Sequence, residues 1–399
     1  MRRHSILLLS SLAAVALSMT PASAQLTQYQ RGSISTVNDL RGSFVAAGTA
    51  LRGTGGTGTI VLAGIPFGST VKEAVLYWTI LGADPMPAGA DSIQLDTQAF
   101  TGTLIGTTNS PCQAMDKAYV FRADVTYWIS GDGSYAISGA LDSGSLFASP
   151  VAEGASLVVV YSNPSIGNRD IALVDGAALL DQNGASVSTT IGGFNATTPV
   201  TGATAAFIVA DGESALSDST LVNSFIIGPN ALNGSDAPGG IEYWDTDTYD
   251  VTALITGGST STTAGLVQGT DCVVWAATPF AIASPLPSAD VLTENLTPLV
   301  AAGTNFRMRV TATNNTGANI PVTANIDVYR QSGQHLGSML VNKNARIPAA
   351  ASASRIFQVR IPGSLAPAFR GIPLYVKTTI VTRPGGTFID DDHVVFYVQ

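Results

Sequence analysis

The chain has 399 residues, of which 12% are charged and 45% are hydrophobic, with a formal net charge of −9. An apolar fraction of this size excludes a disordered chain, and the acidic balance excludes nucleic acid as a partner, because phosphates demand basic patches. The charged fraction is about half the usual ~25%, while Gly, Ser and Thr are plentiful, which points to strands and turns rather than charged helices.

The N-terminus carries a short positive region, Arg2 and Arg3, then an apolar stretch from Ile6 to Leu17, then the small residues Ala22-Ser23-Ala24. This is the pattern of a cleavable export signal, with the cut expected after Ala24. The stretch is too short to span ~30 Å of hydrocarbon. No later segment is long and apolar enough to do so, and the mature product is expected outside the cytoplasm, secreted or periplasmic. Two domains are expected beyond residues 1–24: a large β-sandwich or jelly roll over residues 25–285 and an immunoglobulin-like β-sandwich over residues 286–399. The first holds 7 Lys/Arg against 22 Asp/Glu and the second 10 against 6, so the charge sign reverses at the Pro-containing boundary.

Within the first domain, Arg52-Gly53-Thr54-Gly55-Gly56-Thr57-Gly58 lacks the helix that a phosphate cradle requires and reads as a loop before a strand. Val75–Leu81, Ser156–Tyr161 and Cys272–Trp275 are apolar runs rich in β-branched and aromatic residues, expected to be central strands covered on both faces. Asp132-Gly133 and Asn183-Gly184 are hairpin signals, the first separating Tyr127–Ile129 from Tyr135–Ile137. Ala123-Asp124-Val125-Thr126 is echoed by Tyr249-Asp250-Val251-Thr252, a faint sign of duplicated halves. In the second domain Phe306, Met308, Val310 and Ala312 alternate with polar residues, as do Phe357, Val359 and Ile361, the signature of strands with one wet face.

The only two cysteines, Cys112 and Cys272, are expected to form a disulfide, because an exported chain meets an oxidising compartment. The mature chain has only two histidines, His335 and His393, and no Gly-x-Ser-x-Gly elbow. Asp390-Asp391-Asp392 before His393 reads as a solvated turn. No cofactor is expected; the one metal suggested is calcium, on Asp245, Asp247 and Asp250, because hard carboxylate oxygens at alternate positions can share a face. Of the four tryptophans, Trp78 and Trp275 fall inside apolar strands, and Trp244, beside Glu242 and Asp245, is the one expected at the surface.

Ala74-Val75-Leu76-Tyr77-Trp78, Ala123-Asp124-Val125-Thr126, Gly154-Ala155-Ser156-Leu157-Val158-Val159-Val160-Tyr161 and Val174-Asp175-Gly176 together resemble a family of secreted bacterial and archaeal proteins known mainly as a domain of unknown function. The resemblance covers most of residues 25–285. It implies an extracellular β-sandwich module that often accompanies immunoglobulin-like repeats, and it supplies no catalytic residues. The segment from Ala289-Asp290-Val291 onward resembles such a repeat. The functional expectation is a non-enzymatic extracellular module for surface attachment, matrix structure or partner binding, its partner an extracellular protein, a glycan or another copy of itself. The rivals are a carbohydrate- or calcium-binding lectin-like protein and a secreted glycan-active hydrolase.

Overall fold

A strand covered on both faces needs apolar residues at every position. All three apolar runs form such strands in the computed structural model, which describes residues 26–29, 36–111, 115–181, 186–216, 218–236, 243–267, 269–301, 303–330, 334–360, 369–386 and 388–399. On the strand Thr70–Gly82, Leu76, Trp78 and Ile80 enter one core while Val75, Tyr77 and Leu81 enter another. On Val273–Ala283, Val273 and Trp275 face one core while Val274 and Ala276 face the other. The expected export signal and its cut after Ala24 lie outside the described residues. Among the described residues, no helix is long and apolar enough to cross a membrane.

The protein is all-β, and the faint echo in the sequence marks a full duplication of topology. The first eight-stranded unit has one sheet in the order Thr36–Ala50, Val151–Ser162, Thr70–Gly82, Lys117–Asp124. Its facing sheet runs Gly58–Leu62, Gly133–Ser138, Ser92–Leu95, Gln98–Thr101. The second unit repeats both orders, with Asn168–Leu180, Val273–Ala283, Ala203–Ala210, Trp244–Asp250 against Ser186–Gly192, Ser261–Val267, Ser219–Val222, Phe225–Gly228. Counted along each unit, the orders are 1-8-3-6 and 2-7-4-5, those of a jelly roll. The first unit adds one strand, Thr103–Asn109, at its edge.

The two 1-8-3-6 sheets join where Asn168–Leu180 pairs antiparallel with Thr36–Ala50. The joined sheet then turns its two halves face to face, so one core lies inside each jelly roll and a third lies between them. Close approach of the two units demands glycine at the contact: a Cβ on Gly154 would sit 2.3 Å from the Trp244 ring.

The first hairpin signal makes no hairpin. Thr126–Trp128 is a 3-10 turn, and Gly133–Ser138 pairs with Gly58–Leu62 instead. The Asp132 carboxylate accepts the Gly64 and Ile65 amides at 3.0 and 2.9 Å, stapling a loop. Asn183 and Gly184 lie outside the described residues, and the strands on either side of them, Asn168–Leu180 and Ser186–Gly192, belong to different sheets.

From Ala289 onward the strands form a separate sandwich, called the tail below. Three strands, Ala289–Asn295, Asn305–Asn314 and Ser352–Arg360, face a five-stranded sheet. That sheet runs Leu299–Val300, Phe388–Val398, Pro373–Thr382, Ile320–Arg330, His335–Ile347. Phe306 and Met308 are buried as the alternation requires, packed against Val376 and Phe396 of the larger sheet. Ile361 lies outside the described residues. Asp390 and Asp392 depart from the expected solvated turn. They lie within a strand, are buried, and accept the amides of Val291 and Thr293, each over 2.6 Å. Period-two alternation places both on the inner face, where they stitch the two sheets together.

Candidate functional site

The carboxylates proposed for calcium sit on one strand, Trp244–Asp250, but do not converge. Asp245 is buried, and one of its oxygens accepts the Asn233 and Ser235 amides, both at 3.1 Å. Asp247 accepts the Tyr249 hydroxyl at 3.2 Å. Asp250 points to the opposite face, as an odd spacing from Asp247 dictates, and caps the following turn by accepting the Thr252 amide at 2.9 Å. Among the described residues, no group of three or more His, Cys, Asp or Glu side chains is arranged to hold a metal ion. Burial pushes the Asp245 carboxyl up to about 7, with Asp247 and Asp236 adding to the rise, whereas the Thr252 hydrogen bonds hold Asp250 below its ordinary value. Cys272 is buried and Cys112 lies outside the described residues, among which no cysteine is free.

The tryptophan expectations divide. Trp78 and Trp275 are core residues, as expected. Trp244 is wholly buried instead of exposed: its indole N–H donates to Ser156 Oγ at 2.8 Å across the contact between the two jelly rolls. Trp128, half-buried, is the tryptophan that reaches the surface.

Trp128 owes its position to the duplicated turn. In each copy an Asp side chain receives the amide two residues on, a buried Val follows it, and the Thr hydroxyl accepts an amide from the neighbouring strand. Those last bonds run from Ala74 to Thr126 and from Ala203 to Thr252, each at 2.9 Å. The turns share a backbone but carry different side chains: Tyr127 and Trp128 in the first copy, Ala253 and Leu254 in the second.

The first turn meets the tail. Tyr375 and Tyr397 each donate a hydroxyl to Asp124, one to each carboxylate oxygen, both at 2.6 Å. Burial and the neighbouring Glu73 push the Asp124 carboxyl up, against the pull of these hydrogen bonds. Nearby, Lys72 Nζ donates to Thr293 O at 2.8 Å and pairs with Asp392 at 2.7 Å, with both side chains buried. His393 lies 3.7 Å from Glu73 in the same buried junction.

Two clefts flank this junction and share Tyr397 as a wall. One, of about 740 Å³, is lined by Gln98, Phe100, Arg122, Asp124, Trp128 and Arg370, among others. The other, of about 440 Å³, includes Lys72, Thr126, Tyr127, Glu294 and Asn295. Between them stands an aromatic ridge. Trp128 meets Phe100, Tyr127 and Tyr397 edge-on, with ring centroids 4.9, 5.1 and 5.3 Å away, and Tyr127 is 39% exposed. Edge-on packing fixes the rings while leaving apolar surface to the cleft. Asp124 and Glu294 are the carboxylates in the two linings, and both are engaged: Asp124 by the tyrosines, and Glu294 by Arg309 at 3.0 Å. Sequence reasoning missed this site because Tyr127–Ile129 reads as a strand. The one signal for it was the repeated Asp-Val-Thr.

A different buried network ties the two jelly rolls together. Arg52 Nη2 lies 2.6 Å from Glu153 of the first unit and 2.6 Å from Asp211 of the second, beneath the Tyr243 ring at 3.8 Å. Burial alone would lower the Arg52 pKa, but the two carboxylates raise it above its ordinary value. Burial pushes Glu153 up to about 8, with Asp211 opposing the relief that Arg52 provides. At the other end of the interface Arg122 pairs with Asp175 at 2.6 Å.

No protein-family model matches the chain, and no curated protein matches it. Among solved structures, it is similar to a β-glucuronidase of Bacteroides uniformis at 11% identity and a TM-score of 0.24, over 58% of this chain and 26% of that one. A glycosyl hydrolase family 2 member of Bacteroides cellulosilyticus matches at 11% identity and a TM-score of 0.26, over 58% and 27%. The CARDB domain of the PF1109 protein of Pyrococcus furiosus, solved in complex with di-metal ions, matches at 10% identity and a TM-score of 0.22, over 28% of this chain and 89% of that domain. This chain thus spans about a quarter of each of the two hydrolase structures, and likenesses at these scores carry no argument about what it does.

Proposed function

We propose that this protein is exported and acts outside the cytoplasm as a non-enzymatic binding module, taking a glycan in the clefts at the junction of the first jelly roll and the tail. The observation that carries this reading is the half-buried Trp128 with Phe100 and Tyr127 around it, standing between clefts that offer Gln98, Arg370 and Asn295. A sugar ring presents an apolar face ringed by hydroxyls, and it suits an aromatic surface bordered by convergent hydrogen-bonding groups. The site's make-up also supports the reading, since this turn carries Tyr127 and Trp128 where its counterpart in the second jelly roll carries Ala253 and Leu254. Export rests on the pattern of residues 1–24, and N-terminal sequencing of the released protein should begin at Gln25.

A glycan array probed with the mature protein tests the ligand class. Binding to a defined glycan, weakened about tenfold or more in Trp128→Ala, is the expected result, since one buried stacking contact is worth roughly 1 kcal/mol or more. Uniform silence across the array would sink the reading, as would binding that Trp128→Ala and Phe100→Ala both leave unchanged.

A further inference from the structure

We propose that the tail carries a second, separate binding site: a slot between its two sheets that takes the hydrocarbon chain of a single-chain anionic amphiphile, with the headgroup held by Lys343 and Arg355. The slot opens where the edge strands His335–Ile347 and Ser352–Arg360 stand opposite one another without pairing. Its volume is about 290 Å³, and Val310, Ala324, Ile326, Leu340 and Phe357 are among its lining residues.

Sandwich interiors normally close to the density of an organic crystal. This one closes around two buried clusters and leaves a gap along one edge. On the strand Asn305–Asn314, Phe306 and Met308 are 1% and 0% exposed, whereas Val310 and Ala312 further along are only partly buried. The cause is side-chain size: Ala312 pairs with Ala353 across the smaller sheet, and Ala324 faces them from the larger sheet's lining of the same slot. The gap is lined mainly by apolar side chains, which suits a hydrocarbon chain better than a sugar. Its volume lies at the lower limit of the ~300–1,000 Å³ of ordinary ligand pockets, which admits one chain and not two.

The mouth of the slot is cationic. Lys343 and Arg355, on the inner faces of the two edge strands, line it and are exposed, and among the described residues neither makes an ion pair or a side-chain hydrogen bond. Two like charges at one opening are relieved by an anion there, and an amphiphile with a carboxylate head supplies anion and chain together. A bilayer surface fits less well, because the slot runs inward between the sheets and is filled only by a chain that has left its membrane.

Titrating the mature protein with dodecanoate below its micellar concentration, followed by calorimetry, reads the site directly. One dodecanoate should bind per chain, and uncharged dodecanol should bind about tenfold or more weakly, the scale of a lost charge-assisted contact. Ala324→Phe should abolish dodecanoate binding by filling the slot while leaving the Trp128 clefts unaffected. If that variant fails to fold, the exposed double variant Lys343→Glu, Arg355→Glu decides instead, with an expected loss of about tenfold or more. The proposal is overturned if dodecanoate does not bind, or if binding survives these substitutions. It is equally overturned if only phosphatidylglycerol vesicles bind, which would make the face a bilayer-contact patch.

Discussion

The hydroxyl of Tyr397 donates to Asp124 Oδ1 at 2.6 Å, joining a turn of the first jelly roll to the tail across 273 residues of sequence. Tyr375 closes the second oxygen of the same carboxylate at the same distance. A buried carboxylate so held is the polar centre of the junction that bears both clefts.

Removing one of these donors leaves a buried acceptor with fewer partners. Tyr375→Phe or Tyr397→Phe should each cost about 1–3 kcal/mol in urea unfolding, with non-additive loss in the double variant because both act on Asp124. Additive losses would show that the two hydroxyls act independently.

Arg52 answers two carboxylates at once. Arg52→Met should destabilise the protein by roughly 3–5 kcal/mol, since Glu153 and Asp211 are then buried without a counter-charge. Arg52→Lys should recover only part of that loss, because a point charge cannot reproduce a planar fork bonded to both acids. Full recovery in chemical denaturation would refute the bridging role.

The buried acids make stability depend on pH with a definite sign. Burial raises Asp236 to about 6, Asp245 to about 7 and Asp271 to about 8. The folded state therefore holds protons that the unfolded chain releases just above its ordinary carboxylate pKa. Their contribution is complete below about pH 4 and is lost as pH rises through each folded value, at roughly 1.4 kcal/mol per unit per group. Unfolding free energy measured from about pH 4 to pH 8 should fall, and Asp245→Asn should flatten the part of that fall below about pH 7.

Calcium offers a direct test of the Asp245, Asp247 and Asp250 strand. With the three side chains split between two faces, millimolar calcium should leave the melting temperature where EDTA leaves it. A specific upward shift would mean that the folded state binds the ion after all.

For the cysteines, a bridge between Cys112 and Cys272 predicts a loss of two protons by intact mass under non-reducing conditions. Reduction should lower stability by up to about 5 kcal/mol, the chain-entropy scale for a loop of roughly 160 residues. Two free thiols in the exported protein would dispose of the bridge.

Strand identity was legible in the sequence wherever a single physical rule governs it. Val75–Leu81 and Ser156–Tyr161 are apolar at nearly every position because they contact a core on each face, and Phe306 to Ala312 alternate because the outer face of their sheet is wet. Composition and these periods sufficed for the all-β class. What only the tertiary structure decided are the relationships made at a distance. Trp244 reads as a surface residue from its polar neighbours, yet it is buried because the second jelly roll lays it against Gly154. Asp390 and Asp392 read as a solvated turn, yet they serve as acceptors for another strand's amides. Tyr127 and Trp128 read as a strand, yet they form the ridge of the candidate site, because the turn they occupy is held by Asp124 and Ala74. Local sequence carries periodicity, which determines what a strand can be. Burial and hydrogen-bond partners are set by which surfaces the folded sheets bring together, and no short window of residues contains that information.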